Sequence, residues 1–531
     1  MRRSRLPATR SLALPLILSL WTPGCDRGAA PPTSAPPPAP EATTTPTPAA
    51  PKAVPPATVE LPLSITYDPR VTFHEGWVAL PERVPLHALG NPGASILDLT
   101  RARLGDGDPA RARLLAHALA AAPTPTLIVD EASACAPALA AAVAEAKPPR
   151  LMITFPEGIP ARAVGCLAAL PSEALYLAGC LHRPHRSSDA CDGDAELEAL
   201  VADAGLRPRI RGLALSLASA AAVARLGELP HLERLALSPG KGAGHLALVD
   251  ALPFAALPEL RALEAAGENA HASAWDPDAL ALLGRLHTLR WNGELLGPIP
   301  APCALQRVSF DRLHTPDVEA LAACGDLREL SSDSVDLDTL DALAPFVELR
   351  RLHLRHVRAD ALAPLARATR LEALDLPAAK SADFAFLAGM TSLVELDLSQ
   401  TGLESLAPLA SLRGLRRLDL GFTAIRDLGP LAGLVLLEEL DLGSTQVRDL
   451  RPLAGLERLR ELSLGETPVA DIAALAKLPR LEKVTLHGSA VTDIAPLLAA
   501  PQLKTVTLRG LKLPPAQVEA LRGRPGVTVH D

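Results

Sequence analysis

Leucine recurs at a fixed interval of 22 residues along the second half of the chain. The positions that share this interval are Leu305, Leu327, Leu349, Leu371, Leu393, Leu415, Leu437, Leu459, Leu481 and Leu503. A period of this length means that one small structural unit is stacked on copies of itself, each burying its apolar side chains against its neighbours. Such a solenoid offers a long exposed surface and no closed core, which suits binding better than catalysis.

One unit from the middle of the series shows how the repeat folds. Leu396 and Leu398 point inward from a short strand, and Asp397 between them faces outward, as strand alternation requires. Thr401 then marks a turn, and Pro408 disfavours a long helix in the return segment. The spacing therefore predicts a ribbon of short parallel strands with compact return segments behind it.

The repeated pattern LxxLxLxxTxxxxLxPLxxL resembles a leucine-rich repeat, and its proline-containing 22-residue form is similar to bacterial internalin-like repeats. The match covers residues 303–513. The resemblance implies an α/β solenoid with a curved parallel β-sheet on the concave face and helices or 3-10 turns on the convex face. It also implies a usual role in protein recognition. Where the family usually carries asparagine, this chain carries hydroxyl residues that can also bond the turn backbone, namely Thr401, Thr423, Thr445, Thr467 and Ser489.

Upstream of the regular repeats, similar strand patterns continue at uneven spacing. Ile210, Leu232, Leu260 and Leu286 open such patterns, and alanine-rich helical segments separate several of them. We interpret residues 87–302 as divergent, longer leucine-rich repeats, with a separate α/β domain as the alternative. Because exposed solenoid ends need covers, residues 60–86 are predicted to form an N-terminal cap and residues 514–531 a C-terminal cap.

The N-terminus has the features of an export signal. Residues 1–24 combine four arginines with a short apolar run, and Cys25 follows directly. This arrangement resembles a bacterial lipoprotein signal, which implies lipid attachment at Cys25 and a place in the bacterial cell envelope, on the periplasmic side or at the cell surface. The alternative is an ordinary secretory signal with an incidental cysteine. Residues 25–59, which are rich in proline, alanine and threonine, are predicted to be a disordered tether.

The charge balance disfavours a nucleic-acid partner. The formal net charge is −8, and it becomes −12 once the four arginines of residues 1–24 are removed with the signal. Nucleic-acid binding depends on neutralising phosphates with basic side chains, so an acidic chain of this kind is a poor candidate. The predicted membrane association depends on the lipid anchor alone.

Six cysteines remain after Cys25, an even number that indicates disulfides in an exported protein. The spacing favours three pairs, Cys135–Cys166, Cys180–Cys191 and Cys303–Cys324, because one repeat separates the last two cysteines and stacking brings them together. The alternative for the middle pair is a zinc site, since Cys180, His182, His185 and Cys191 have suitable ligand types. We expect the disulfide and no metal or other cofactor.

The outward strand positions place charged residues in columns on the predicted concave face. The central acidic residues are Asp375, Asp397, Asp419, Asp441, Glu395, Glu439 and Glu461, interrupted by Arg417. Basic residues lie on either side, namely Arg351, His353 and Arg355 before them and Lys483, Lys504 and Arg509 after them. Phe422 is predicted to face outward in the same region. This alternation of charge could set the register of a charged protein partner, or it could be a solvated surface.

The sequence therefore predicts a non-catalytic protein that binds or scaffolds an unknown protein partner through the concave face. No HExxH or GxSxG motif is present in the sequence. One alternative is a metal-binding or enzymatic protein with a site in residues 87–302, and the other is a purely structural spacer of the envelope.

Overall fold

The computed structural model of the chain describes residues 96–99, 112–113, 115–116, 119–120, 125–155, 157–179, 192–239, 252–265, 282–291, 295, 297–337, 340–357, 362–381 and 383–531. The predicted signal peptide at 1–24, Cys25, the tether at 25–59 and the cap at 60–86 lie outside the described residues. So does the loop that contains Cys180, His182, His185 and Cys191, and with it the predicted third disulfide and the alternative zinc site.

The described strands form one parallel sheet in which every strand pairs with the next along the chain. The strands are β1 Ile96–Asp98, β2 Thr126–Ile128, β3 Leu151–Thr154, β4 Leu175–Ala178, β5 Ile210–Leu217, β6 Arg234–Pro239, β7 Ala262–Ala265, β8 Thr288–Trp291, β9 Arg307–His314, β10 Glu329–Asp336, β11 Arg351–Leu354, β12 Ala373–Asp375, β13 Glu395–Asp397, β14 Arg417–Asp419, β15 Glu439–Asp441, β16 Glu461–Ser463, β17 Lys483–Thr485, β18 Thr505–Thr507 and β19 Thr528–His530. The predicted α/β leucine-rich-repeat solenoid is confirmed.

Short helices carry the chain back from each strand to the next. The α-helices are α1 Glu131–Ala134, α2 Pro137–Ala146, α3 Ala161–Ala169, α4 Gly193–Ala202, α5 Ala220–Arg225, α6 Thr315–Ala320, α7 Ala495–Leu498 and α8 Pro515–Arg522. The 3-10 helices are Arg207–Arg209, Leu226–Glu228, Phe254–Ala256, Leu340–Leu343, Ala363–Arg367, Ala385–Gly389, Ala407–Ser411, Gly429–Gly433, Arg451–Gly455 and Ala473–Lys477. Among the described residues, no helix is long and apolar enough to span a bilayer.

Proline does not set the length of the return helices. Ala385–Gly389 and Ala473–Lys477 contain no proline, yet each is five residues long, like the proline-containing Ala407–Ser411. The short repeat leaves room for only about one and a half turns before the next strand begins. The expectation that proline limits the helix is therefore unnecessary, because the period of 22 residues already does so.

The core is a continuous stack of leucines, and hydroxyl side chains form hydrogen bonds within the turns that follow the strands. Leu396, Leu418 and Leu440 occupy the centres of successive strands and are each 2% exposed. The predicted hydroxyl bond of the turn is confirmed, since Thr445 Oγ1 donates to the carbonyl of Leu442 at 2.6 Å. The same bond is made by Thr401, Thr423 and Thr467, whereas the prediction was wrong for Ser489, whose buried Oγ has no partner in the described structure.

Two predicted disulfides join neighbouring turns of the solenoid. Cys135 bonds Cys166, and Cys303 bonds Cys324. The second pair lies where the regular repeats begin, and the sheet continues through this point because β8 pairs directly with β9. Both pairings agree with the prediction from spacing.

A column of left-handed backbone follows the strands of the regular repeats and was not predicted from the sequence. One residue per repeat has a positive φ, and the column consists of His356, Ala378, Gln400, Phe422, Ser444, Glu466, Gly488 and Gly510. Every member except Gly510 donates its N–H group to the next repeat, as Phe422 does to the carbonyl of Gly443 at 2.8 Å. The left-handed turn thus continues the sheet bonding beyond the end of each strand.

Candidate functional site on the exposed face of the sheet

Two rows of outward side chains cross the exposed face of the sheet. The first row contains the residues in register with the start of the short strands, namely Arg234, Ala262, Thr288, Arg307, Glu329, Arg351, Ala373, Glu395, Arg417, Glu439, Glu461, Lys483 and Thr505. The second row lies two residues further on and contains Ala236, Glu264, Arg290, Ser309, Ser331, His353, Asp375, Asp397, Asp419, Asp441, Ser463, Thr485 and Thr507. Neighbours within a row stand about 4.8 Å apart, the spacing of paired strands.

The second row contains an unbroken acidic ladder, which we define as Asp375, Asp397, Asp419 and Asp441. In three of its members, Oδ1 accepts a backbone N–H two residues further on, at 2.7–2.9 Å. The fourth member, Asp375, precedes Pro377, which has no N–H, and Asp375 instead contacts His353 Nδ1 at 3.1 Å. The ladder carboxylates therefore shape the turns and also line the exposed face.

The charges of the acidic ladder repel one another. Burial, as the largest cause, and the neighbouring carboxylates Asp397, Asp441 and Asp375 together raise the pKa of Asp419 from its ordinary value of 3.8 to about 6, against the lowering effect of the Gly421 N–H bond. Like charges at this spacing cost roughly 1 kcal/mol per pair in water and more where water is excluded. A cationic group placed against the ladder would relieve this cost.

The first row beside the ladder is charged but internally paired. Arg417 is in contact with Glu395, and Lys483 Nζ lies 3.0 Å from Glu461 Oε2. Glu439 lies between Arg417 and Glu461 in the same row. The predicted site residues of this row thus lie together and include two ion pairs, Arg417 with Glu395 and Lys483 with Glu461. These pairs add little net charge to the surface.

The predicted basic flanks occupy several different positions. Arg351 and His353 belong to the two rows, whereas Arg355 and Arg509 lie beyond the ends of their strands and are exposed. Lys504 precedes β18 and donates to Glu482 at 2.6 Å. Lys504 therefore belongs to a separate column of ion pairs at the edge of the sheet, which includes Arg460 with Glu482 and Arg416 with Glu438.

Phe422 is the most exposed of the large apolar side chains that the structure describes, with 66% of its surface accessible. It lies three residues beyond Asp419, in the left-handed column. An aromatic side chain beside carboxylates is a common arrangement at binding hot spots, because it contributes apolar contact area next to polar recognition.

Two adjoining cavities lie along this face. One of about 390 Å³ is lined by residues from Asp375 to Thr485 and includes the acidic ladder. The other, of about 580 Å³, is lined by residues from Glu233 to Glu395, and we call it the basic pocket after the five arginines in its walls, which five carboxylates accompany. Asp375 and Glu395 line both cavities. Since the outward side chains of β7 to β12 enclose the basic pocket, the face is concave there.

The basic pocket was not predicted from the sequence. Its floor is made of small outward residues at positions where other strands carry long side chains, namely Ala262, Thr288, Ser309, Ser331 and Ala373. Arg290, Arg307 and Arg351 stand beside these residues in the two rows. Small side chains between long ones leave a depression, and this was the signal in the sequence that could have revealed it.

Within the described residues, no group of three or more histidine, cysteine, aspartate or glutamate side chains could hold a metal ion. Asp317 is fully buried, but its oxygens serve the backbone, accepting from Leu295 N at 2.6 Å and from His314 N at 2.9 Å.

No protein-family model and no curated protein matches the sequence. Solved structures are similar to it: an internalin from Listeria monocytogenes is 19% identical over 65% of this chain and 99% of that chain, with a TM-score of 0.43. An internalin C2 from the same species is 32% identical over 36% of this chain and 83% of that chain, with a TM-score of 0.33. A leucine-rich-repeat protein from Leptospira interrogans is 16% identical over 73% of this chain and 92% of that chain, with a TM-score of 0.41. The 22-residue period and the strand register define the present chain as a leucine-rich-repeat protein by its fold.

Proposed function

We propose that this chain is a non-catalytic binding protein that recognises a protein partner through the acidic ladder and Phe422. The partner presents basic side chains to the carboxylates and an apolar contact to the aromatic ring. The observation that carries this proposal is the ladder itself, whose central carboxylate, Asp419, has its pKa raised to about 6.

The turns alone do not account for four aligned negative charges. The turn bond uses a single side-chain oxygen, and asparagine would make the same bond without a charge. The second oxygens of Asp397, Asp419 and Asp441 accept no hydrogen bond from the described residues, so they remain available to a partner. Each basic group docked here gains a favourable interaction and also relieves repulsion within the ladder.

The proposal can be tested by removing the charges of the ladder while keeping its turn bonds. In Asp397→Asn/Asp419→Asn/Asp441→Asn, each amide oxygen can keep the turn bond while the charge is removed. A matched control exists in the same repeats, because Asp427, Asp471 and Asp493 also accept an N–H two residues further on, at 2.8–2.9 Å, but at the start of the return helices. Asp427→Asn/Asp471→Asn/Asp493→Asn therefore changes the charge equally at another surface.

The experiment is an in-cell crosslinking pull-down with the wild type, the ladder variant and the control variant. We expect a protein captured by the wild type and the control but lost from the ladder variant, and weakened by Phe422→Ala. Equal capture by all variants would remove the site from the acidic ladder. Capture of no protein by the wild type would favour the structural-spacer alternative.

We further propose that the chain is a lipoprotein of the bacterial envelope, anchored through Cys25 and held away from the membrane by the tether. Support comes from the basic and apolar leader and the cysteine that follows it. Metabolic labelling with an alkyne-bearing fatty acid tests this proposal. The label is expected in the wild type and absent from Cys25→Ser, and an unlabelled wild type would contradict the anchor.

A further inference from the structure

We propose that the basic pocket is a second binding site, which takes a small organic anion bearing two or more carboxylate or phosphate groups. This proposal does not depend on the partner proposed for the acidic ladder. A volume of about 580 Å³ is within the range of small-molecule sites in proteins.

Two hydroxyl groups form the centre of the pocket floor. Ser309 and Ser331 are paired across β9 and β10 in the second row. Both are partly buried, and neither side chain has a hydrogen-bond partner among the described residues. Hydroxyl groups that are partly removed from water and left without a protein partner are suited to donate to a ligand oxygen.

Arginine side chains flank these hydroxyls in both rows. Arg290 precedes Ser309 in the second row, and His353, whose Nδ1 lies 3.1 Å from Asp375, follows Ser331. Arg307 lies two residues before Ser309 on β9, and Arg351 lies two residues before His353 on β11. Both arginines belong to the first row. Guanidinium groups bind carboxylates and phosphates through two parallel hydrogen bonds, so three of them around one depression favour a ligand with several anionic groups.

The carboxylates in the pocket hold the arginines in place. Glu264 lies 3.3 Å from Arg290, and Glu329 lies 3.8 Å from Arg351. Burial raises the pKa of Glu264, although Arg290 opposes this shift. At the margins, Glu233 accepts from Tyr176 at 3.0 Å and Glu395 contacts Arg417, so both are engaged by groups on strands outside the pocket.

Rigid surroundings support a preformed site. The Cys303–Cys324 disulfide joins the segments that lead into β9 and β10. Asp317 fixes the far end of β9 by accepting the His314 N–H, and it also holds Leu295. A site built on fixed strands loses little conformational entropy when a ligand binds.

Isothermal titration calorimetry of the folded chain at about 0.15 M salt, where surface charges are screened, tests the proposal. Citrate and inorganic pyrophosphate are the two probes, and they separate carboxylate from phosphate ligands; glucose is the neutral control. We expect one of the anions to bind saturably, with one site per chain, and glucose to give no binding.

The variants locate the site. Arg307→Gln/Arg351→Gln is expected to weaken binding about tenfold or more, because each guanidinium contributes charge-assisted hydrogen bonds. Ser309→Ala/Ser331→Ala keeps every charge and is expected to weaken binding several-fold. This variant tests the site even if the arginine variant folds poorly. Glu329→Gln is expected to strengthen binding, since it removes a like charge. Arg413→Gln/Arg458→Gln, with the same charge change at exposed positions outside the pocket, is the control.

Two results would overturn the proposal. One is the absence of saturable binding for both anions. The other is binding that the arginine and serine variants leave unchanged while Arg413→Gln/Arg458→Gln reduces it. Neither result bears on capture of a protein by the acidic ladder, so the two proposals fail separately.

Discussion

The regular repeats and the divergent repeats share one sheet but present different surfaces. From β13 to β15, every outward position in the two rows is charged, and repetition aligns like with like into the acidic ladder. From β7 to β10, where the divergent repeats meet the regular ones, each strand carries one small and one long outward residue, and the basic pocket opens between the long ones. Uniform outward residues thus produce a one-dimensional charge pattern, whereas a mixture of small and long outward residues produces a cavity.

The two regions also satisfy their buried polar groups differently. In a regular repeat the side-chain bond of the turn stays within that repeat, as between the Thr445 hydroxyl and the carbonyl of Leu442. Near the junction between the divergent and the regular repeats, one carboxylate bonds two separate segments. It is the buried side chain of Asp317, which accepts from the N–H groups of Leu295 and His314. We therefore expect point changes to be mild in the regular repeats and severe at the junction.

The largest contrast is expected for Asp317→Ala. Removing the carboxylate leaves two N–H groups without an acceptor, and the cost should be about 3 kcal/mol of unfolding free energy. Asp317→Asn, which keeps one acceptor oxygen, should cost less. The exposed Asp427→Ala in a regular repeat removes one bond at the start of a return helix and should cost no more than about 1 kcal/mol. Urea denaturation measures all three, and equal losses for Asp317→Ala and Asp427→Ala would refute the contrast.

The hydroxyl residues of the turns offer a test with a smaller expected effect inside the regular repeats. Thr445 is fully buried and its hydroxyl is bonded, so Thr445→Val should cost about 1 kcal/mol. Ser489 holds the same place two repeats later, but its buried Oγ has no partner in the described structure. Ser489→Ala should therefore be neutral or slightly stabilising. Thermal unfolding of both variants compares them, and a loss at Ser489 equal to that at Thr445 would contradict the role of the bond.

Much of the fold could be predicted because its information is periodic. The 22-residue interval fixed the strand positions and their register, and the separation of Cys303 from Cys324 by nearly one repeat led to their pairing. The left-handed column was missed because only Gly488 and Gly510 mark it with glycine. The acidic ladder and the part of the basic pocket from Arg307 onward could be derived from the register, but the part upstream of Arg307 could not, because uneven spacing hides which outward residues become neighbours there.

The left-handed column can be tested where glycine does occur. Gly510 has a φ of +76°, and an added Cβ would have no atom nearer than 3.9 Å, so Gly510→Ala reports backbone strain without a clash. It should cost about 1 kcal/mol. Gly433→Ala, where a Cβ also meets open space but no positive φ is present, is the control and should cause no loss. If chemical denaturation shows equal effects, the turns of this column do not require the left-handed conformation.

The smallest expected effect concerns the charge of the acidic ladder and depends on pH. Well below pH 3.8, Asp419 is protonated in both the folded and the unfolded chain, so it contributes no difference. Between that pH and the folded pKa of about 6, the folded chain retains a proton that the unfolded chain loses, and stability falls as pH rises. Above pH 6 the folded chain keeps the unfavourable charge. Asp419→Asn should therefore stabilise the chain at pH 7.5 by roughly 0.5 kcal/mol, since solvent screens these partly exposed groups.

The gain from Asp419→Asn should disappear at pH 4 and shrink in high salt, because screening weakens the repulsion that the substitution removes. Asp427→Asn keeps a similar turn bond at an exposed position outside the ladder, so it separates ladder repulsion from a general effect of lost charge. Melting temperatures of the wild type and both variants at pH 4 and pH 7.5 measure the difference. A gain in Asp419→Asn that is independent of pH would show that the carboxylates of the ladder do not repel one another, and it would leave the proposed attraction of a basic partner without its physical cause.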